Sequence, residues 1–279
     1  MEKILIALDA TNPSANTLEL GCYLARLTHS RATVVLLENE VAEEQMVLKK
    51  EQGMHYVDWE VKRDSPAHLA KQKIITQNIE RLKESCSNRG VNFFIHHDRG
   101  EPAEEVISES RYADLLVMDP ELTFTQSAED IPTSFTKKVL SHAECPVILS
   151  ASETEGVDEI IVTYTDSRSS VYALKQFAYL FPALKDKKLT VLHINEKEPV
   201  QLEDRTRLME WVKNHFGNSH YEELPGNSSE ELLNYCIGRK NIMIVMGAYG
   251  RGVLSSLFKQ SHANTMLKMI SQPIFITHI

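Results

Sequence analysis

Lys3–Leu20 reads KILIALDATNPSANTLEL, and Glu159–Gln176 reads EIIVTYTDSRSSVYALKQ. Laid over each other without a gap, the two stretches place an apolar run, a polar turn and a segment of helical period at the same positions. The agreement continues downstream. TVVLLENE (33–40) answers LTVLHINEK (189–197), DLLVMDPE (114–121) answers IMIVMGAYG (242–250), and VLSHAECPVIL (139–149) answers MLKMISQPIFI (266–276), with Pro146 over Pro273. A repeat of this length implies two similar domains, placed at 1–151 and 157–279. They join in the small, acidic stretch SASETEGVDE (Ser150–Glu159).

Within each half, short β-branched runs alternate with longer segments of helical period, the pattern of βαβ units on a parallel sheet. Strands are expected near 4–8, 33–37, 92–96, 115–118 and 147–149, and again near 160–164, 189–194, 220–223, 242–246 and 274–277. Helices fall between them. Ser228, three residues before Glu231, suits a capping box, and Pro102 suits a first helical turn. The expected fold class is therefore α/β: two tandem open-sheet domains, each a five-stranded parallel sheet with helices on both faces, Rossmann-like. In such sheets ligands sit beyond the carboxyl ends of the strands.

Apolar residues make up 42% of the 279 and charged residues 25%, as in an ordinary folded chain. A formal charge of -9 opposes steering towards nucleic-acid phosphates or an anionic membrane. Neither partner is expected, and any anionic ligand must be held by local donors. Apolar runs such as IMIVM (242–246) are far too short to cross a bilayer, and the expected location is cytoplasmic. Cys22, Cys86, Cys145 and Cys236 have no zinc-like spacing and are read as free thiols.

Two matched features carry a family resemblance. KILIALDAT resembles the first strand and turn of the universal stress protein domain, and TSFTKKVLSHAECPVILS (133–150) resembles that family's last helix and strand. The likeness extends over nearly the whole chain, twice, as in a tandem member. It implies an adenine nucleotide alpha hydrolase-like fold and a stress-response sensor or interaction module. It also implies ATP or a related adenine nucleotide as a ligand, with none required. The resemblance further implies that PVILS (146–150) and PIFITHI (273–279) are edge strands through which the halves join as an intramolecular pseudo-dimer, and bare apolar edges invite such pairing. A homodimer and an unknown protein partner are further expectations.

The family's nucleotide motif is Gly, two residues, Gly, nine residues, then Gly followed by Ser or Thr. Gly247 and Gly250 stand at its first two positions, and Gln260 with Ser261 at its last two. Glycines let a backbone approach phosphates, and N–H groups at a helix start face anions. Ser261 suits a cap or a phosphate donor. The resemblance adds Met246 and His262 beside the motif, Ile194 at an adenine and Asp166 near the nucleoside. Two departures stand against it: Gln260 replaces the last glycine, and Thr165 takes the aspartate position, with Asp166 one residue later.

In the first half Asp9 keeps the aspartate position, but Asp119 and Leu122 replace both leading glycines. Asp119–Ser134 holds four acids and no base, a formal -4, whereas Gly247–Ser261 holds Arg251 and Lys259 and no acid, a formal +2. If one half takes nucleotide, it is the second.

His96, His97 and Asp98 suggest a metal site, but adjacent strand residues face opposite ways, so no metal is expected. The mixed-charge segment Glu40–Asp64 is read as a solvated, partly helical insertion, with a partner-binding lid as the functional reading. Trp59 and Trp211 are read as packing residues. No serine, histidine and acid set has a catalytic context, and Gln260 stands where a P-loop has lysine. A binding function is expected and no catalysis. A ligand-free scaffold and a slow ATPase are the other readings.

Overall fold

The computed structural model describes residues 1–51, 54–125, 127–151, 156–195, 202–247 and 272–277. In the first half, β1 (Lys3–Asp9), β2 (Arg31–Asn39), β5 (Phe93–Gly100), β6 (Leu115–Met118) and β7 (Val147–Leu149) form parallel strands in the order β7-β6-β1-β2-β5. In the second, β8 (Glu159–Tyr164), β9 (Lys188–Asn195), β10 (Asn218–Pro225), β11 (Ile242–Gly247) and β12 (Ile274–Thr277) repeat it as β10-β9-β8-β11-β12. All ten strands read from the sequence are present. Runs such as KILIALD, buried on both faces, have no polar face to offer water and so occupy central positions.

The halves join as expected. β7 and β12 pair antiparallel, with Ile274 opposite Leu149, Phe275 opposite Ile148 and Ile276 opposite Val147. The result is one ten-stranded sheet in which each half covers the other's apolar edge.

Helices cover both faces. On one lie α1 (Ala15–Thr28), α2 (Pro66–Asn88), α5 (Arg168–Leu180) and α6 (Leu202–His215), which share a core with Ile4, Ile6, Val162 and Val191. On the other lie α3 (Pro102–Ser110), α4 (Ser134–His142) and α7 (Ser228–Cys236), packed on Leu5, Leu37, Ile161 and Ile244. Pro102 opens α3 as read from the sequence. α7 departs by one residue: its cap is Asn227, whose side chain accepts from the Ser229 and Glu230 N–H groups, so Ser228 is already helical. An amide oxygen caps as well as a hydroxyl, and the neighbouring residues compete.

The larger correction concerns residues 40–64. After a single 3-10 turn (Val41–Glu43), β3 (Glu44–Glu51) and β4 (Met54–Val61) form a two-stranded antiparallel ribbon separate from the main sheet. Trp59 lies on it and is 58% exposed, so it does not pack in a core. Trp211 does pack: it stacks on His215, with ring centroids 3.8 Å apart, and borders the core beneath α6.

His96 and His97 diverge as strand alternation requires. His96 Nδ1 lies 3.1 Å from Glu109 and His97 Nε2 lies 2.8 Å from Glu38. Among the described residues no group of three or more His, Cys, Asp or Glu side chains could hold a metal ion. The four cysteines are free and buried. No described helix is long and apolar enough to cross a membrane.

Candidate functional site

The strand order reverses direction between β8 and β11, and between β1 and β6, so each half has a crevice beyond those carboxyl ends. In the second half, β8 ends at Tyr164 and the chain turns through Asp166 at φ 53 into α5. Aspartate tolerates this left-handed conformation because its short side chain bonds locally. Here Asp166 Oδ1 accepts the Tyr164 hydroxyl at 2.7 Å. Burial first, then this bond to a carboxylate, pushes the Tyr164 phenol above its ordinary pKa. Tyr164 therefore stays a donor at neutral pH.

Hydroxyls crowd the start of α5. Ser167 caps it, accepting the Ser170 N–H at 3.2 Å, and its oxygen lies 2.9 Å from both Thr165 Oγ1 and Ser169 Oγ. Against this turn sits the end of β11. A Cβ on Gly247 would lie 2.4 Å from the carbonyl carbon and oxygen of Ser169. Strand and helix backbones thus meet where no side chain fits.

The residues read from the sequence separate into two layers. Met246 is buried and Ile194 half-buried in the core shared with α7. Tyr164 belongs to the opposite core, with α5 and α6, and Asp166 bonds to it there. Asp166 also borders a cavity of about 660 Å³ between α5 and α6, lined in part by Tyr172, Asp204, Arg207 and Trp211. Neither Ile194, Met246 nor Gly247 lines that cavity. Gly250, Gln260, Ser261 and His262 lie outside the described residues, so the phosphate part of the motif has no geometry here.

Sequence reasoning passed over His193, just before Ile194. It is buried, with Nδ1 2.9 Å from the Tyr164 carbonyl oxygen. A carbonyl only accepts, so Nδ1 carries a proton, and Nε2 has no hydrogen-bond partner among the described residues. The Thr277 hydroxyl at the end of β12 is likewise buried and unpartnered among them. The two lie on β9 and β12, with β8 and β11 between them, and each unpaired polar atom is costly in a core. Their only sequence signal was a polar residue closing an apolar run.

The first-half crevice is acidic. A hollow of about 360 Å³ is lined by Asp9, Asn12, Ser14, Asp119, Glu121 and Thr123, among others. Asp9 Oδ1 is occupied by the Thr11 N–H at 2.6 Å and hydroxyl at 2.7 Å, and Asp119 Oδ1 by the Glu121 N–H at 2.9 Å. Thr133 caps α4, while Glu129 accepts the Thr123 hydroxyl at 2.6 Å and also the Ser134 hydroxyl on that helix's first residue. A carboxylate of the chain itself therefore sits where a helix start would draw an anion. Phe124 packs edge-on against Phe135 beneath this loop, 5.0 Å between ring centroids.

No family model and no curated protein matches the sequence. Solved structures do match over the full length. A universal stress protein from Archaeoglobus fulgidus DSM 4304 is 16% identical, with a TM-score of 0.67 over 99% of this chain and 98% of its own. A functionally unknown protein from Pseudomonas aeruginosa PAO1 is 14% identical, with a TM-score of 0.58 over 100% of this chain and 92% of its own. At such identities the likeness lies in the backbone path and not in shared site residues. The chain has the universal stress protein fold, twice in one polypeptide.

Proposed function

We propose that the chain is a stress-response binding module of the universal stress type, whose second half takes ATP or a related adenine nucleotide. On this reading the first half takes none. The observation behind it is the contrast between the two crevices. Beyond β6 stand Asp119 and Glu121, and Glu129 covers the start of α4. β11 closes on Gly247, and the sequence that follows it to Ser261 holds two cations and no acid. A triphosphate would meet repulsion in the first and attraction in the second.

In this proposal Gly247, Gly250 and Ser261 hold the phosphates, Met246 and His262 flank them, and Ile194 and Asp166 border the nucleoside. The activity is binding and the compartment cytoplasmic. The test is native mass spectrometry of the full chain, followed by titration with labelled ATP. One bound nucleotide per chain is expected. No saturable binding up to millimolar ATP would overturn the reading.

A second reading, a ligand-free scaffold, is favoured by one contact. Ser169 alone requires a glycine at 247, with no phosphate needed. Nucleotide titration separates the two.

A further inference from the structure

The ribbon β3–β4 is the part of the chain that the crevices leave unused. Opposite residues in an antiparallel pair share a face, so Met46 with Trp59 and Leu48 with Val57 lie on one side. All four are exposed, Met46 by 63% and Leu48 by 73%. The other side carries the charges: Lys49 pairs with Asp58 at 2.6 Å and with Glu60. A two-stranded ribbon with a bare apolar face is marginal in water and gains stability when that face is covered.

The apolar face also carries a charge order. Period-two alternation gives it Glu44, Met46, Leu48 and Lys50 along β3, an acid at the base and a cation at the tip. Both charged residues are exposed. Rotating a second ribbon about a two-fold axis that crosses the strands lays Glu44 over Lys50 of the copy and Met46 over Leu48. Trp59 then meets Val57. The surface is complementary to itself under that one operation, as an isologous contact requires. The apolar strand edges of the main sheet are meanwhile consumed within the chain by β7 and β12.

We propose that this ribbon face docks the same face of a second copy, making a two-fold dimer held by four apolar residues from each chain and closed at both ends by Glu44–Lys50 pairs. Four apolar residues per chain are few beside the roughly 20–30 residues a side of a standard interface, so the dimer forms at micromolar or higher concentrations.

Sedimentation of the full chain across a concentration series tests it. A monomer–dimer equilibrium is expected for the wild type. Leu48→Glu abolishes the dimer, because it places a charge in the apolar centre. Glu44→Lys and Lys50→Glu each weaken it about tenfold or more, by turning both closing pairs repulsive. The double variant Glu44→Lys/Lys50→Glu recovers wild-type affinity, which a merely damaged ribbon would not do. Unfolding temperatures of all variants stay at the monomer value, since the ribbon stands outside both cores. A wild-type chain that remains monomeric throughout, or a dimer indifferent to these charge reversals, overturns the proposal.

Discussion

The two halves share a strand order but fill it differently. Carrying the gapless alignment of their first helices onward sets Gly21 against Phe177 and Ala25 against Phe181, and the matched last strands set Ile148 against Phe275. In the second half the three phenylalanines touch, with ring centroids 5.0, 5.3 and 6.0 Å apart. In the first, Gly21 leaves room that Ile6 fills, because a Cβ there would lie 2.4 Å from Ile6 Cδ1. The strand beneath carries Ile6 in one half and Val162 in the other. Apolar patterning keeps one topology even though the matched side chains differ greatly in size. The halves have diverged in what fills the core and in what closes the crevice, while the backbone plan is common.

The largest expected effect tests the packing side of that contrast. Phe177→Ala removes the ring that touches both other phenylalanines in a fully buried position, and should cost about 3–5 kcal/mol by denaturant unfolding. In the first half Phe177 is matched by Gly21, which has no side chain to remove; Ile148→Val, at the position matched to Phe275, should cost about 0.5–1.5 kcal/mol. Equal losses would mean that the aromatic cluster contributes nothing beyond an ordinary aliphatic core.

That shared plan was legible in the sequence because it is written in spacing. Strands buried on both faces are near-continuous apolar runs, and a repeat makes each run count twice. The β7–β12 seam was expected from the family resemblance, and it fits the tendency of two apolar edges in one chain to pair. The ribbon was missed because its alternation is diluted by charge. His55, Val57, Trp59 and Val61 do alternate with Tyr56, Asp58 and Glu60, and Gly53 stands between the two runs, but neither face is a clean apolar set. The cap of α7 was missed by one residue because Asn227 and Ser228 are both good caps. At the site, the sequence places Gly247 and Asp166 near strand ends but does not show what they touch. That Asp166 turns to Tyr164, and that Ile194 and Met246 turn to the other layer, depends on a positive φ and on strand alternation together.

Gly247→Ala sharpens the crevice side. Its Cβ would meet the Ser169 backbone, which cannot give way as a side chain does, so a loss of about 1–3 kcal/mol is expected by thermal unfolding. Asp119→Gly, at the matched position of the first half, removes the acceptor of the Glu121 N–H and should cost about 0.5–1.5 kcal/mol. If Gly247→Ala is neutral, the glycine is not a packing requirement and the ligand-free reading loses its support.

The smallest effect concerns the carboxylate that the first half turns on itself. Hydrogen bonds from the Ser134 hydroxyl first, and from the Thr123 hydroxyl next, outweigh burial and hold Glu129 below the ordinary glutamate range. A pKa depressed in the folded state stabilises the fold above the unfolded value, and that stabilisation fades as pH falls through the folded one. Glu129→Gln should therefore be less stable than the wild type at neutral pH, by about 0.3–1 kcal/mol for an anion at a helix start. The gap should close as the pH is lowered past the carboxylate range, because the wild-type side chain becomes neutral as well. A gap that stays constant with pH would assign the effect to hydrogen bonding alone, with no charge at the helix start. The first half would then be no more closed to a nucleotide's phosphates by Glu129 than by any neutral loop.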